Sequence, residues 1–475
     1  MNTNNPLLFN AEHRLKAATA TERFCNEYLD GVAGRPVFPN IDRSALRTLM
    51  EAPLPREGVA LEALFQELRE VIVPNSTHTA HPRFLPYVQP SPNGLSPYAE
   101  QVAATLNQNC NLWTLSPAAN AVEQVVLRWF ADLFGFGSNT GGIITSGGSV
   151  ANLVGLTAAR DHALGNDARR TGMQGAGQRL IAYASEEVHS SIDKAISILG
   201  LGTDNLRRIP TDNSFKIDLH ELREAMRADQ ADGHRPFCVI ASAGTVTTGA
   251  IDPIMEVAQI CGENDAWLHV DGAYGALTAL SERYREEMSA IRHADSVSLD
   301  PHKFLFASFE AGCVLVRDRN ALRNAFSAQP SYLTMSEDED FRDFANYGPQ
   351  LSRGFKALKV WWSLKHFGAD SYAATIERMA DLASYMGSRI DEQSEFELLA
   401  PVTFNCVCFR LKGLDELDNA TVLKKIVDGG DAFLGPASVK GQKGLRACFM
   451  NLRTTEPDVD FILEKLVELS RTITK

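Results

Sequence analysis

The chain has 475 residues, 46 of them basic and 59 acidic, for a formal net charge of −13. That length accommodates one large domain and one or two smaller ones, with a core deep enough to bury a cofactor. An acidic balance without a basic stripe or lysine run argues against nucleic acid and anionic membranes as partners.

The amino-terminal run Met1-Asn-Thr-Asn-Asn-Pro-Leu-Leu-Phe has no basic segment leading into a long apolar core, and charges interrupt every later apolar stretch. The expectation is a soluble, cytoplasmic protein without a membrane span. Residues 10–75 read as helices whose apolar faces carry Leu46, Leu49, Leu61, Leu64, Phe65 and Leu68, a helical arm that needs a surface to cover it. The Pro-rich stretch 81–94 cannot continue a helix. His78 and His81 lack a third partner at ligand spacing and read as loop histidines, so no metal site is expected.

From residue 141 the pattern becomes regular. Short apolar runs at 142–145, 180–184, 206–210, 238–242, 267–271, 296–299 and 313–316 alternate with helix candidates at 149–164, 189–199, 218–231, 253–264 and 283–293. Strands buried on both faces and joined by helices predict an α/β domain with a mostly parallel, seven-stranded sheet. The loop 329–342, with Ser336-Glu-Asp-Glu-Asp, is dense enough in charge to be exposed and mobile. After it, strand candidates at 396–399, 406–411 and 445–450, flanked by helices at 371–393 and 456–472, predict a small α+β domain. The eight cysteines are scattered and mostly within apolar segments, as reduced core thiols are; Cys406 and Cys408 share one face of a strand, with no second pair to complete a metal site.

The chemistry concentrates in two motifs, His269-Val-Asp271 and Asp300-Pro-His302-Lys303. A lysine forms an imine only as the neutral amine, and partial desolvation favours that form. A carboxylate facing a pyridine nitrogen keeps the nitrogen protonated and the ring electron-withdrawing. Lys303 and Asp271 together therefore point to pyridoxal 5'-phosphate (PLP). Thr145-Ser-Gly-Gly148-Ser149 follows a strand and opens a helix, which suits either a phosphate cradle or a capped turn; the downstream pair favours the cradle. His189 follows a strand and either lies on the cofactor ring or caps a helix, and Thr245 closes another strand at the same sheet edge.

Several separated motifs in this order, namely His81-Pro-Arg-Phe, Ser146-Gly-Gly-Ser149, His189-Ser-Ser, Gly244-Thr245, His269-Val-Asp271, Pro301-His302-Lys303, Pro330-Ser-Tyr332-Leu, Arg353-Gly-Phe-Lys and Leu445-Arg446, span nearly the whole chain. They resemble the PLP-dependent group II amino-acid decarboxylases, closest to the aromatic-L-amino-acid decarboxylases, of the aspartate-aminotransferase-like fold (fold type I). The resemblance implies a helical arm at 1–85, a PLP-binding domain at 86–378 and a small domain at 379–475. It implies Lys303 as the covalent anchor, Asp271 as partner of the ring nitrogen and His189 as the stacking residue. Gly148, Ser149, Asp300 and His302 would contact phosphate, with Thr245 also in the cofactor set. Tyr332, on a loop reaching the other subunit of a homodimer, would return a proton to Cα; a phenylalanine there accompanies aldehyde formation, so tyrosine implies an amine product.

Asp300 departs from an asparagine frequent in the family, Val246 from a threonine and Phe304 from a tryptophan. The segments implied to shape the substrate pocket, Tyr87-Val88-Gln89 and 107–113 with Asn109, Asn111 and Trp113, are rich in amides, which suit an indole or phenol or a polar aliphatic side chain. Arg446 either binds the substrate carboxylate or is structural. The leading expectation is decarboxylation of tryptophan, tyrosine, phenylalanine or DOPA. The alternatives are an acidic or basic aliphatic substrate, a transaminating or aldehyde-forming enzyme, and a cofactor-holding scaffold without turnover.

Overall fold

The computed structural model describes residues 5, 7–165, 168–327 and 341–473. Every apolar run of the central region folds as a strand. After a two-residue strand β1 (Phe84–Leu85) come β2 (Gly141–Thr145), β3 (Leu180–Ser185), β4 (Leu206–Ile209) and β5 (Arg235–Ser242). Next are β6 (Trp267–Asp271), β7 (Ser296–Leu299) and β8 (Gly312–Val316). Strands β2 to β8 form one seven-stranded sheet in the order β2-β8-β7-β6-β5-β3-β4, and only β8 runs against its neighbours. Strands β2, β3, β6, β7 and β8 are buried along their whole length, which explains why they read as continuous apolar runs rather than alternating ones.

The connecting helices lie where the periodicity predicts. Gly148–Ala163 packs across β5, β6, β7 and β8. Ser191–Ile198, Leu219–Ala231 and Ile254–Glu263 follow, the second opened by the Asp218 carboxylate accepting from the His220 and Glu221 amides. The last candidate is shorter than expected: Glu282–Met288 is α-helical and Ser289–His293 tightens to a 3₁₀ turn. Because β2, β3, β5, β6 and β7 are mutually parallel, their carboxyl ends open on one edge, where open α/β sheets bind ligands.

A second sheet contains β9 (Phe396–Leu398), β10 (Cys406–Leu411), β11 (Phe433–Val439) and β12 (Gln442–Cys448), in the order β1-β11-β12-β10-β9. Phe84 and Leu85 pair in parallel with Phe433 and Leu434, so the Pro-rich segment is stitched to the carboxyl-terminal sheet. Cys406 and Cys408 do share one face, and both thiols reach the Thr247 carbonyl. The helix Ala357–Asp391, broken at Gly368 (φ 75°), contacts both the large-sheet layer and β9 and β10, and position 378 lies within it. The amino-terminal helices Ala11–Gly31, Arg43–Met50 and Leu61–Glu67 bury none of their residues. Among the described residues no helix is long and apolar enough to cross a membrane.

Candidate active site

A cavity of about 530 Å³ opens at the carboxyl edge of the large sheet, a size suited to one cofactor-sized ligand. Its wall includes Tyr87, Val88, Gln89, Gly148, Ser149, His189, Thr245, Asp271, Asp300, His302, Lys303 and Arg446, gathered from segments up to 359 positions apart in sequence (446 − 87). Five of the six parallel strands that end at this edge deliver a part, β4 being the exception. β2 leads into Gly147-Gly148, β3 into His189, β5 into Thr245, β6 ends in Asp271, and β7 leads into Asp300-Pro-His302-Lys303. Arg446 comes from β12 on the other side, so the cavity lies between the two sheets.

Asp271 is buried and receives three donors. Its Oδ1 accepts from the Ser298 hydroxyl (3.1 Å) and the Ala273 amide (3.2 Å), and its Oδ2 accepts from the Asn152 side-chain amide (3.0 Å). Such an arrangement fixes a carboxylate in one orientation at the strand end. Lys303 Nζ lies 3.1 Å from Asp300 Oδ2, and the same oxygen is 3.5 Å from His302 Nε2. Asp300 is therefore first of all the partner of Lys303; its Oδ1 is buried without a hydrogen bond. Burial holds the His302 ring below the usual histidine range, which favours its neutral form, and Nδ1 accepts from the Ala311 amide (3.3 Å). The Phe309 ring packs 4.5 Å from it.

The start of the Gly148–Ala163 helix carries no side-chain cap. Gly147, Gly148, Ser149 and Val150 line the cavity, so the positive end of the helix dipole lies at its wall. Gly148 has no room for a side chain, since a Cβ there would meet Ala273 Cβ at 2.7 Å and Asp300 Oδ2 at 3.0 Å. An uncapped helix start, a glycine that lets backbone approach, a lysine and a fixed carboxylate make a donor and acceptor set that fits PLP. Thr245 is buried, its hydroxyl 3.0 Å from that of Thr248. Arg446 donates to the carbonyls of Pro86 (3.0 Å) and Val246, leaving Nε buried without a partner.

Three residues expected in the substrate pocket are not in this cavity. Asn109 Oδ1 accepts from the Arg353 amide (3.0 Å), Asn111 Oδ1 from the Leu112 amide (2.9 Å), and Trp113 packs on Phe341 with ring centroids 4.4 Å apart. The side-chain oxygens of Asn109 and Asn111 are thus engaged by backbone N–H groups, while Gln89 lines the cavity. Tyr332 lies outside the described residues. Conversely, Asn152, Ser298, Phe309 and Glu310 contribute to the site without having been foreseen. Asn152 stands out only weakly in the sequence, as a polar residue one helical turn beyond Ser149 in the small and apolar first half of the helix.

A model of the pyridoxal-dependent decarboxylase conserved domain matches residues 44–412. The aromatic-L-amino-acid decarboxylase of Bacillus atrophaeus is 33% identical over 456 residues, covering 94% of this chain and 93% of its own length. Oryza sativa TDC, solved with PLP and tryptamine, is similar at a TM-score of 0.93 and 27% identity, covering 100% of both chains. Rhodiola rosea 4-hydroxyphenylacetaldehyde synthase is similar at 0.90 and 26% identity, covering 99% of this chain and 100% of its own. Matched over most of its length to that domain, and to a decarboxylase across nearly all of it, this chain belongs to the pyridoxal-dependent decarboxylase family and is a PLP-dependent amino-acid decarboxylase.

Proposed function

We propose that the chain converts an aromatic L-amino acid to the corresponding amine and carbon dioxide in the cavity that collects Lys303, Asp271 and His189. The observation carrying this reading is the Asp271 carboxylate, fixed by three donors at the end of β6 and facing the same cavity as Lys303 and the uncapped helix start. PLP, when bound, supplies an aldehyde for amine exchange and a ring that withdraws electrons from the substrate Cα.

In this reading Lys303 would hold the cofactor as its amine anchor, Asp271 would keep a proton at the ring nitrogen, and His189 would lie against the ring. Gly148 and Ser149 at the helix start would hold the phosphate, with His302 and Thr245 in the same wall, while Asp300 orients Lys303 and His302. Tyr332 returns a proton to Cα once carbon dioxide has left. Tyr87, Val88 and Phe309 give the cavity apolar wall suited to an aromatic side chain, and Arg446 offers a cation for the substrate carboxylate. The decarboxylase and TDC likenesses support the aromatic class.

The division into 1–85, 86–378 and 379–475, a homodimer with its active sites at the interface, and a cytoplasmic location belong to the same proposal. The unburied faces of the amino-terminal helices support the dimer. The direct test of the site is Asp271→Asn, which keeps shape but loses the charge. We expect kcat to fall at least about a hundredfold with PLP still bound, on the scale of losing one preorganised electrostatic group. Turnover at the wild-type rate would remove Asp271 from the mechanism.

A further inference from the structure

Behind the cavity wall, one chain of buried hydrogen bonds has its direction fixed by chemistry. The Trp267 indole N–H can only donate, and it reaches Ser296 Oγ at 2.8 Å. The Ser296 hydroxyl proton is then free for His269 Nδ1, also 2.8 Å away. His269 is fully buried, and desolvation holds it below the usual histidine range, which favours the neutral ring; with Nδ1 accepting from Ser296, its proton sits on Nε2. That proton is donated to Asn152 Oδ1 (2.9 Å). With its oxygen committed, the Asn152 amide turns its NH₂ toward Asp271 Oδ2 (3.0 Å) and Ser191 Oγ (3.0 Å). Ser191 in turn donates its hydroxyl to His189 Nδ1 (2.9 Å), where the Ser191 backbone N–H also arrives (3.2 Å). A neutral His189 therefore carries its proton on Nε2.

We propose that Asn152 is a positioning residue that sets Asp271 and His189 together through its one amide, with Trp267, Ser296 and His269 fixing which way that amide faces. Among the described residues, Asn152 is the side chain that joins the carboxylate to the chain ending at His189. The helix itself makes room for the arrangement. Gly155, one turn along from Asn152, has no side chain where a Cβ would meet His269 Cε1 at 2.8 Å and Nδ1 at 2.9 Å. A mid-helix glycine gives up helix propensity relative to alanine, and here it admits the His269 ring.

This inference rests on the reading of the cavity as the PLP site, and the two are separable by experiment. Wild-type, Asn152→Asp and Gly155→Ala proteins are reconstituted with PLP and compared by visible circular dichroism of the bound cofactor, PLP dissociation constant, and kcat and KM for an aromatic L-amino acid. Asn152→Asp preserves volume but replaces two donors with a carboxylate facing Asp271. Gly155→Ala displaces His269, and its Cβ has no cavity residue among its nearest contacts. Both variants are expected to weaken PLP binding, reduce the visible dichroism and lower kcat by about tenfold to a hundredfold, the scale typical of outer-shell partners, with KM within about threefold. Wild-type dichroism and kcat in folded Asn152→Asp would overturn the proposal. Should that variant not fold, the same unchanged values in Gly155→Ala would overturn it. Failure of the wild-type protein to bind PLP would instead sink the reading of the cavity, and this inference with it.

Discussion

Burial favours the neutral form of His78, His81, His269 and His302, and the last three use that state differently. His269 passes a directed hydrogen bond to Asn152, His302 accepts a backbone N–H beside Lys303, and His81 accepts the Arg83 amide through Nδ1 (3.0 Å). His81 is fully buried, and desolvation lowers it from 6.5 to about 4. The unfolded chain takes up a proton on this ring as the pH falls through 6.5, whereas the folded chain does not until about 4. The contribution to stability is therefore complete above 6.5 and is lost as the pH falls from 6.5 toward 4. At pH 5 the loss from this ring is on the order of 2 kcal/mol. His81→Asn, which can still accept the Arg83 amide but does not titrate, should lose less stability between pH 7 and 5 than the wild type, read as the shift of the urea midpoint. Equal shifts would mean that His81 does not titrate differently on unfolding.

At the level of elements, the carboxyl edge of the large sheet depends on close backbone packing. A Cβ on Gly312, at the start of β8, would collide with the Gly147 backbone where the helix start faces the cavity. Gly312→Ala is expected to push that loop out and weaken PLP binding at least about tenfold, as a misplaced positioning element does; a titration followed by cofactor absorbance checks this. An unchanged affinity would separate the loop from phosphate binding.

Most of the seven strands were legible because burial on both faces leaves an apolar run that no surface pattern dilutes; β4, with Arg207 and Arg208 between its buried ends, was legible from its place in the alternation. β1 and β11 were not. Gly435 and Pro436 interrupt the apolar pattern of β11, and Gly435 is small because the Pro86 carbonyl packs against it where β1 pairs. In the 107–113 segment, a cluster of amides looks alike in sequence whether it serves a ligand or the backbone, and the oxygens of Asn109 and Asn111 accept backbone N–H groups. Lys303 and Asp271 were legible because their chemistry narrows the possibilities to one cofactor. Asn152 was not singled out because its role lies in partners contributed by β6, β7 and the Ser191 helix, which the sequence does not place beside it.

For the whole molecule, the unburied amino-terminal helices leave Leu15 and Leu64 exposed along with Phe9, more apolar surface than a finished exterior needs. The proposed homodimer would cover it. Sedimentation should give a species of twice 52.1 kDa, and Leu15→Glu should shift the population toward 52.1 kDa. A wild-type monomer would contradict the dimer. The most direct measurement concerns the reaction itself. The purified protein, loaded with PLP, is incubated with a mixture of common L-amino acids plus DOPA, ornithine and diaminobutyrate, and new products are identified by mass spectrometry. The expected product is an arylalkylamine, with release of carbon dioxide. An aliphatic amine would contradict the aromatic assignment, and a keto acid, an aldehyde or no product would contradict the amine-forming reaction proposed for this cavity.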